Sequence, residues 1–317
     1  MIKNLSEIRE CTSDIEWDEF QKNSIHSSVY MTSFFLNCLS VELKKEFYLL
    51  DGKIVASAVI NTNPNYMFPY QGVSICEFQD SLNSRVTKSF KILSDFLNLL
   101  SIKYIKLIFS LSYNLSDLRP FQWINYNEHL KGRFKINLNY TAIISSKEYC
   151  SFNEYLYKIR TVRRQEWNKC KKNNFFIESS NKEELFIDIY SSMFANKSIS
   201  LDNDHINRVK NILSDAIKNN YGDLTFCYDE IGNVHSTNLI LYYKTNAYYQ
   251  FGATYPEYRS SGATSFLLLE NIKKFFEKGY SNFDMVGINS PNRGDFKLSF
   301  NALPIPYFDV EGEFIFN

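Results

Sequence analysis

The sequence predicts a mixed α/β protein, an α+β mixed sheet in each of two similar halves. Short runs rich in β-branched and aromatic residues flank turn residues, which is typical of hairpins. Amphipathic stretches with apolar residues at helical spacing lie between these runs. The same order of helices, hairpin, third strand, glycine turn, long helix and fifth strand occurs in both halves, which indicates a structural repeat.

Composition favours a folded chain of moderate size. The chain has 317 residues, 44% of them hydrophobic, enough for one large domain or two ordinary ones. Its 35 basic and 35 acidic residues cancel, whereas dedicated nucleic-acid-binding proteins usually carry a basic surplus. The sequence shows no apolar run of about 18 residues, no apolar signal core at the start and no C-x-x-C pair. We therefore expect a reduced cytoplasmic chain without a membrane span.

The first half begins with helical material and continues with a hairpin. Ile15, Trp17 and Phe20 fit a short helix. Asp51-Gly52 supplies the positive φ angles of a tight turn and predicts a hairpin of residues 47–50 and 54–60. The other predicted elements are a helix at 31–39, a strand at 66–70 with a turn at 69–72, a helix at 86–100, and strands at 104–109 and 134–144.

The second half follows the same order. A single helix is predicted at 152–172, and one of its faces is strongly basic. We place the boundary near 145–150, so the predicted domains are residues 1–147 and 148–317. The later predicted elements are a strand at 175–178, helices at 183–196 and 204–219, strands at 224–228 and 234–243 around a turn at 229–232, and closing strands at 305–310 and 313–316.

Residues 247–300 contain the most informative pattern. A predicted strand (247–253) leads through Arg259-Ser260-Ser261-Gly262-Ala263 into a helix predicted at 263–278. The N–H groups of a first helical turn have no partner and the helix dipole is positive there, so this turn is a place to bind an anion. Gly262 lets the backbone approach a ligand closely. A strand is predicted at 282–287, and Phe296-Lys297 follows.

The sequence contains four further informative sets of residues. They are Arg163-Arg164 in a basic helix, Tyr248 to Ala253 continuing to Gly262-Ala263, Phe283-Asp284-Met285-Val286-Gly287, and Phe296-Lys297 followed by Phe300. In this order they resemble the tandem GNAT fold of the Fem-type (FemABX) peptidyltransferases and their N-acyltransferase relatives. They cover most of residues 150–310, whereas residues 25–130 match only in outline. The GNAT pyrophosphate signature, Gln/Arg-x-x-Gly-x-Gly/Ala, fits residues 259–263, but Thr264 replaces the small residue at its last position. The sequence also lacks the heptads of the long coiled-coil arm that Fem enzymes using aminoacyl-tRNA often carry.

The resemblance implies a site for a coenzyme A thioester as acyl donor. In such a site the turn from Arg259 to Ala263, which includes Ser260, Ser261 and Gly262, holds the pyrophosphate. Phe251 and Gly252 on the preceding strand belong to the same donor site. A plain loop and helix start is the alternative for this turn.

The resemblance also implies roles in catalysis and acceptor binding. Lys297 stabilises charge that develops on the acyl carbonyl, with Phe296 beside it, and Asp284 orients or deprotonates the amine. Tyr249 and Gln250 lie near the acceptor, although neighbours on a regular strand point to opposite faces, so at most one is expected to face it. Arg163 and Arg164 bind a diphosphate of a nucleotide-linked acceptor. Each of these side chains also fits a purely structural role.

No metal site is predicted from the histidines. His26, His129, His205 and His235 are scattered without ligand spacing, although His235 in a strand is a possible base.

Three hypotheses for function follow. The first is an N-acyltransferase that moves an acyl group from acyl-CoA, or from an acyl carrier protein, to a nucleotide-linked amino sugar for surface polysaccharide synthesis. The second is a Fem-type aminoacyl-tRNA-dependent peptidyltransferase acting on a peptidoglycan precursor. The third is a binding module without catalysis. The acyl group, the acceptor and the oligomeric state stay open at this stage.

Overall fold

The chain divides into two units in this computed structural model, which describes residues 5–39, 41–61 and 67–315. Unit 1 takes the described residues up to Asn139 and from Pro306 onward, and unit 2 is Tyr140–Ile305. The division differs from the expected 1–147 and 148–317, because the last strand pairs with a strand of unit 1, Asp309 lying opposite Ser110. The two paired strands are far apart in the sequence, so no local sequence pattern predicts that they pair.

Unit 1 contains an antiparallel sheet of four strands in the order β1-β2-β3-β4, and β5 pairs with the closing strand β12. The predicted hairpin is confirmed: Leu50 lies opposite Lys53, and both turn residues have positive φ. The elements are β1 (Ser6–Glu10), α1 (Asp14–Lys22), α2 (Ser33–Cys38), β2 (Lys44–Leu50), β3 (Lys53–Ile60), β4 (Val73–Ile75), α3 (Leu82–Lys103), β5 (Lys106–Ser110), α4 (Arg119–Trp123) and the start of β6 (Phe134–Ser145).

The strand predicted at 66–70 does not form where expected. Residue 66 lies outside the described residues, and 67–70 are not extended. Pro69 lies in a turn and Tyr70 has a φ of 61°, which ends extended backbone, so the strand starts later, at Val73. The long helix α3 covers the sheet and buries Leu93, Phe96 and Leu97 in the core of this unit.

Unit 2 is built on the strand order β6-β11-β10-β9-β8-β7. Its pairs are antiparallel except β10 with β11, which is parallel. The elements after β6 are α5 (Phe152–Lys158), α6 (Thr161–Lys172), β7 (Phe176–Ser179), α7 (Glu183–Ala195), α8 (Asn203–Lys218), β8 (Gly222–Tyr228), β9 (Val234–Tyr243), β10 (Asn246–Thr254), α9 (Ala263–Glu277), β11 (Asn282–Asp284), α10 (Pro291–Leu298) and the start of β12 (Leu303–Glu313).

The helix and the closing strands predicted for this half differ from the structure. The helix expected at 152–172 breaks into α5 and α6 because Ile159 and Arg160 are extended. The N–H of Arg160 donates to the carbonyl of Ser299, so a tertiary contact overrides local helix propensity. In place of the two strands expected at 305–310 and 313–316 the structure has the single strand β12, which ends at Glu313. Residues 314 and 315 are not in a strand, and residue 316 lies outside the described residues.

Helix α9 packs its apolar face on the sheet of unit 2, with Leu268, Ile272 and Phe275 fully buried. Asn271 is a buried polar residue of this helix. Its amide donates to Thr225 Oγ1 at 3.0 Å, Asn238 Oδ1 at 2.9 Å and a helix carbonyl at 3.1 Å. This hydrogen-bonded group ties α9 to strands β8 and β9 and so fixes where the helix begins.

We expect Asn271→Ala to lower the free energy of unfolding by about 1–3 kcal/mol, because the buried side chains that it bonds lose their donor. Urea unfolding measures the change. Asn181→Ala is the matched control, since Asn181 is exposed and its loss should cost under about 0.5 kcal/mol. Equal stability of the two variants would contradict the role given to Asn271.

Candidate active site

Unit 2 contains a cleft of about 750 Å³, a volume typical of small-molecule sites. Strand β10 forms its floor, and helices α6, α7, α9 and α10 supply its walls. Its lining residues are Arg163, Glu166, Tyr190, Met193, Phe194, Lys197, Tyr249, Gln250, Phe251, Gly252, Ala253, Thr254, Arg259, Gly262, Thr264, Ser265, Val286, Asn292, Arg293, Phe296 and Lys297.

A β-bulge in β10 shapes the floor. Tyr249 lies opposite Ile240 and Phe251 opposite Leu239, so Gln250 is an extra residue in the strand. Tyr249 and Gln250 both line the cleft, as do the next four residues of the strand. After the bulge, Gly252 shares a face with Tyr249, and a Cβ at this position would lie 1.9 Å from the Tyr249 hydroxyl. Only glycine leaves room for that ring.

The turn before α9 forms one wall of the cleft. Gly262 caps the helix with a φ of 89°, and a Cβ there would lie 3.1 Å from Cβ of Glu166 on α6. Thr264 lines the cleft and shares a 2.6 Å hydrogen bond with Thr254 of β10. Thr264, the larger residue at the last position of the pyrophosphate signature, thus ties the start of α9 to strand β10.

Part of the first turn of α9 already has hydrogen-bond partners within the protein. The N–H of Ala263 donates to Ser261 Oγ at 3.1 Å, and Ala263 itself is buried in the core. Ser260 is exposed outside the cleft lining. The positive helix end therefore reaches the cleft through Gly262, Thr264 and Ser265.

Strand β11 ends at Asp284, earlier than the 282–287 predicted. Val286 and Gly287 both have positive φ, 50° and 73°, which a strand cannot contain. Positive φ is an outlier for a β-branched residue and costs about 1–3 kcal/mol. The buried carboxylate of Asp284 stabilises the turn by accepting hydrogen bonds from the Val286 N–H at 2.8 Å and Thr141 Oγ1 at 2.5 Å. Asp284 does not line the cleft.

Lys297 on α10 reaches back to this turn. Its Nζ donates to the carbonyl oxygens of Val286 at 2.6 Å and Gly287 at 3.0 Å, and lies 5.6 Å from the ring centre of Tyr249. Lys297 is 7% exposed. Burial lowers its pKa to about 7, with a further lowering by Arg293 and an opposing effect of Asp284. Burial also raises the pKa of Tyr249 to about 12, so this phenol stays protonated at neutral pH.

The two predicted substrate-binding arginines of α6 differ in position. Arg163 lines the cleft, but its guanidinium donates to Ser299 at 2.8 Å, Glu166 at 2.6 Å and Ser265 at 3.0 Å. It also stacks over the Phe296 ring at 4.9 Å, so it joins α6, α9 and α10. Arg164 donates to the carbonyl of Tyr157 and does not line the cleft.

Sequence reasoning missed two groups of lining residues. One is cationic, with Lys197 after α7 and Arg293 on α10. Arg293 precedes Lys297 by four residues, a spacing that places both on one helix face and could have revealed it. The other group is apolar: Tyr190, Met193 and Phe194 of α7 face Phe251, whose ring centre lies 6.0 Å from that of Tyr190.

The structure thus collects most of the predicted site in one cleft. Among the described lining residues, five side chains are basic and one, Glu166, is acidic. The surplus of positive charge and the α9 start favour a ligand with phosphate groups. Nine predicted residues line the cleft: Arg163, Tyr249, Gln250, Phe251, Gly252, Arg259, Gly262, Phe296 and Lys297. Five do not: Arg164, Ser260, Ser261, Ala263 and Asp284.

No helix among the described residues is both long and apolar enough to cross a membrane. No cluster of His, Cys, Asp and Glu among them is arranged to hold a metal ion.

Comparisons with known proteins agree on the fold. Residues 158–298 match the family model described as an acetyltransferase (GNAT) domain, and no curated protein matches the sequence. The structure of FemX is similar with a TM-score of 0.69 at 11% identity, over 95% of this chain and 96% of that one. A tandem GNAT protein from the clavulanic acid biosynthesis pathway has a TM-score of 0.54 at 7% identity, over 98% of both chains.

L-PGS from Bacillus licheniformis is also similar, with a TM-score of 0.53 at 13% identity over 96% of this chain and 93% of that one. At such identities these likenesses describe the fold alone. The chain has a FemABX-like tandem GNAT fold, as the sequence pattern predicted, and residues 158–298 of its second half match a GNAT acetyltransferase domain.

We expect the pKa of Lys297 to make stability depend on pH. Between about pH 7 and 10.5 the unfolded chain binds a proton at this lysine that the folded chain does not, so folding becomes more favourable as pH rises. Relative to Lys297→Met, the free energy of unfolding of the natural protein should increase by about 1 kcal/mol per pH unit in that window. Below about pH 7 the difference should level off.

Urea unfolding of both proteins across this pH range measures the effect. Lys273→Met is the control, because the side chain of Lys273 on α9 is 43% exposed and pairs with Glu277. A difference between the natural protein and Lys297→Met that stays constant with pH would contradict the lowered pKa.

Proposed function

We propose that this chain is an N-acyltransferase that moves an acyl group from a coenzyme A or acyl-carrier-protein thioester to the amine of a nucleotide-linked amino sugar, for surface polysaccharide synthesis. The observation that carries the proposal is the position of Lys297, a buried amine in a cationic cleft that also includes the start of α9. Acyl-CoA is found in the cytoplasm, in keeping with the location expected from the sequence.

The donor fits the charge of the cleft. Coenzyme A brings a pyrophosphate, and the α9 start with Gly262 and Thr264 offers backbone dipoles to it. Arg259 lies exposed at the same turn and adds a full positive charge. We assign Phe251 and Gly252 of the floor to the pantetheine arm, because β10 leads directly from that turn into the cleft.

The chemistry is attack of an amine on the thioester carbonyl. A C–N bond forms, the C–S bond breaks, and the amine proton passes to the departing thiolate or to water. In its protonated form Lys297 donates to the oxygen that becomes negative. Since its pKa is about 7, the charged and neutral forms coexist at neutral pH, and the neutral form can accept a proton. Asp284 serves as a positioning residue in this proposal, because it holds the turn whose carbonyls fix Lys297.

The acceptor is assigned from the remaining cations. Lys197 and Arg293 line the cleft without forming part of the α9 turn, and their charges suit the phosphates of a nucleotide-linked sugar. Gln250 supplies both a donor and an acceptor for sugar hydroxyls. Arg163, bonded within the protein, orders this wall.

A Fem-type transfer from aminoacyl-tRNA is the second candidate. It is supported by the likeness to FemX in fold and by the exposed lysines Lys169, Lys171 and Lys172 at the end of α6. It requires tRNA binding that weakens steeply with salt.

We expect thiol release from acyl-CoA that depends on an amino-sugar nucleotide, and a loss of about 10²–10³-fold in kcat for Lys297→Met. The assay detects free thiol across a panel of acyl-CoAs and dTDP- or UDP-amino-deoxyhexoses. Lys273→Met should keep full activity. A parallel filter assay tests aminoacyl-tRNA binding at low salt.

The outcomes separate the candidates. Turnover that Lys297→Met leaves unchanged would contradict the proposed site. Transfer from aminoacyl-tRNA without turnover of any acyl-CoA would replace the proposal with the second candidate. Activity with neither donor, and no coenzyme A binding, would indicate a module that binds without catalysis.

A further inference from the structure

Unit 1 contains a groove of about 580 Å³ that the proposed reaction does not use. One wall is a single face of α3, where Phe90, Ser94 and Asn98 follow one another at four-residue spacing. The other wall is α4 and the turn after it. The lining residues are Phe90, Ser94, Asn98, Pro120, Trp123, Ile124, Asn125, Tyr126, Asn127 and Glu128.

Two aromatic rings of this groove are open to solvent. Trp123 is 51% exposed and Tyr126 is 59% exposed. Rings left open to solvent at a concave surface retain apolar area that a ligand can bury. Trp17, by contrast, is fully buried in the core of the same unit.

Neighbouring side chains hold the two rings in place. The edge of Phe90 packs on Trp123 with ring centres 5.3 Å apart, and the Arg119 guanidinium lies over both rings, at 4.9 and 5.7 Å. Arg133 lies over Tyr126 at 5.4 Å. Held rings lose little conformational entropy when a ligand stacks on them.

The charges of Arg119 and Glu128, near the groove, are paired within the protein. Asp117 accepts two hydrogen bonds from Arg119, at 2.8 and 2.6 Å, and so neutralises it. Among the described lining residues, Glu128 has the one charged side chain, and Lys131 pairs with it at 2.8 Å. A phosphate or nucleic acid would find no basic lining residue here, so the groove suits a neutral ligand.

The polar lining residues are mostly amides. Asn125 adopts a positive φ of 50°, and its amide donates to the carbonyls of Lys131 and Gly132, which fixes the turn. Asn98 and Asn127 are exposed on opposite walls. Side-chain amides and the Ser94 hydroxyl can each donate and accept hydrogen bonds. The walls of the groove can therefore bind ligand groups that do both, such as hydroxyls.

We infer that this groove binds a neutral saccharide. A pyranose ring has an apolar C–H face, which buries against Trp123 and Tyr126, and a rim of hydroxyls, which pair with the amides and Ser94. A groove of this volume holds one or two sugar rings. The inference does not depend on the acyl-transfer chemistry of unit 2.

The test is ¹⁹F NMR of the full chain labelled with 5-fluorotryptophan. The chain has three tryptophans, and the Trp123 signal is assigned with Trp123→Phe. The probes are glucose, galactose, N-acetylglucosamine and their β-1,4-linked disaccharides, with uridine monophosphate as the charged probe. We expect the Trp123 signal to shift saturably with at least one sugar while the other two signals stay in place.

Two variants locate the binding by calorimetry. Asn98→Ala, an exposed change on α3 that should not disturb folding, is expected to weaken binding about tenfold, and Trp123→Ala to abolish it. Tyr157→Ala is the control, since Tyr157 is 77% exposed in unit 2. The inference is overturned by any of three results: no shift with any sugar, sugar binding that Asn98→Ala leaves intact, or tighter binding of uridine monophosphate than of every sugar.

Discussion

The hydrogen bonds from Lys297 to the carbonyls of Val286 and Gly287 are the constraint around which the site is built. They require two successive residues with positive φ, one of them β-branched. The local cost is offset by Asp284, whose buried carboxylate accepts the Val286 N–H, and by parallel pairing of β11 with β10. The Lys297 amine keeps two hydrogen-bond acceptors in this position but is shielded from water. Because burial disfavours its charged form, its pKa falls to about 7.

The rest of the cleft follows from close packing around that amine. The bulge at Gln250 turns Tyr249 toward Lys297, and Gly252 makes room for the ring. Gly262 lets α6 approach the start of α9, where Arg163 joins three helices. These contacts position the lining side chains without a ligand, and preorganised charges stabilise developing charge most effectively.

Residues with local signatures could be predicted from the sequence. The hairpin at Asp51-Gly52, the amphipathic helices and the glycine turn before α9 follow from turn chemistry and helical spacing, and the order of motifs predicted the tandem fold. Residues placed by distant contacts could not be predicted. The break at Arg160 depends on Ser299, the return of β12 to unit 1 depends on β5, and the bulge at Gln250 depends on its pairing with β9. Arg293 was missed because a single arginine after a proline has no recognisable sequence pattern. Only once residues 291–298 are known to form a helix does its four-residue spacing from Lys297 place both on one face.

The site depends on the ionisation of a single amine, that of Lys297, and direct titration of this group is the sharpest test. Two-dimensional ¹H–¹⁵N NMR of lysine side chains follows each Nζ against pH, and Lys297→Arg identifies the signal by its loss. The account predicts one lysine that titrates near pH 7, well below the ordinary value of about 10.5. A Lys297 signal that titrates near 10.5 with the other lysines would contradict it.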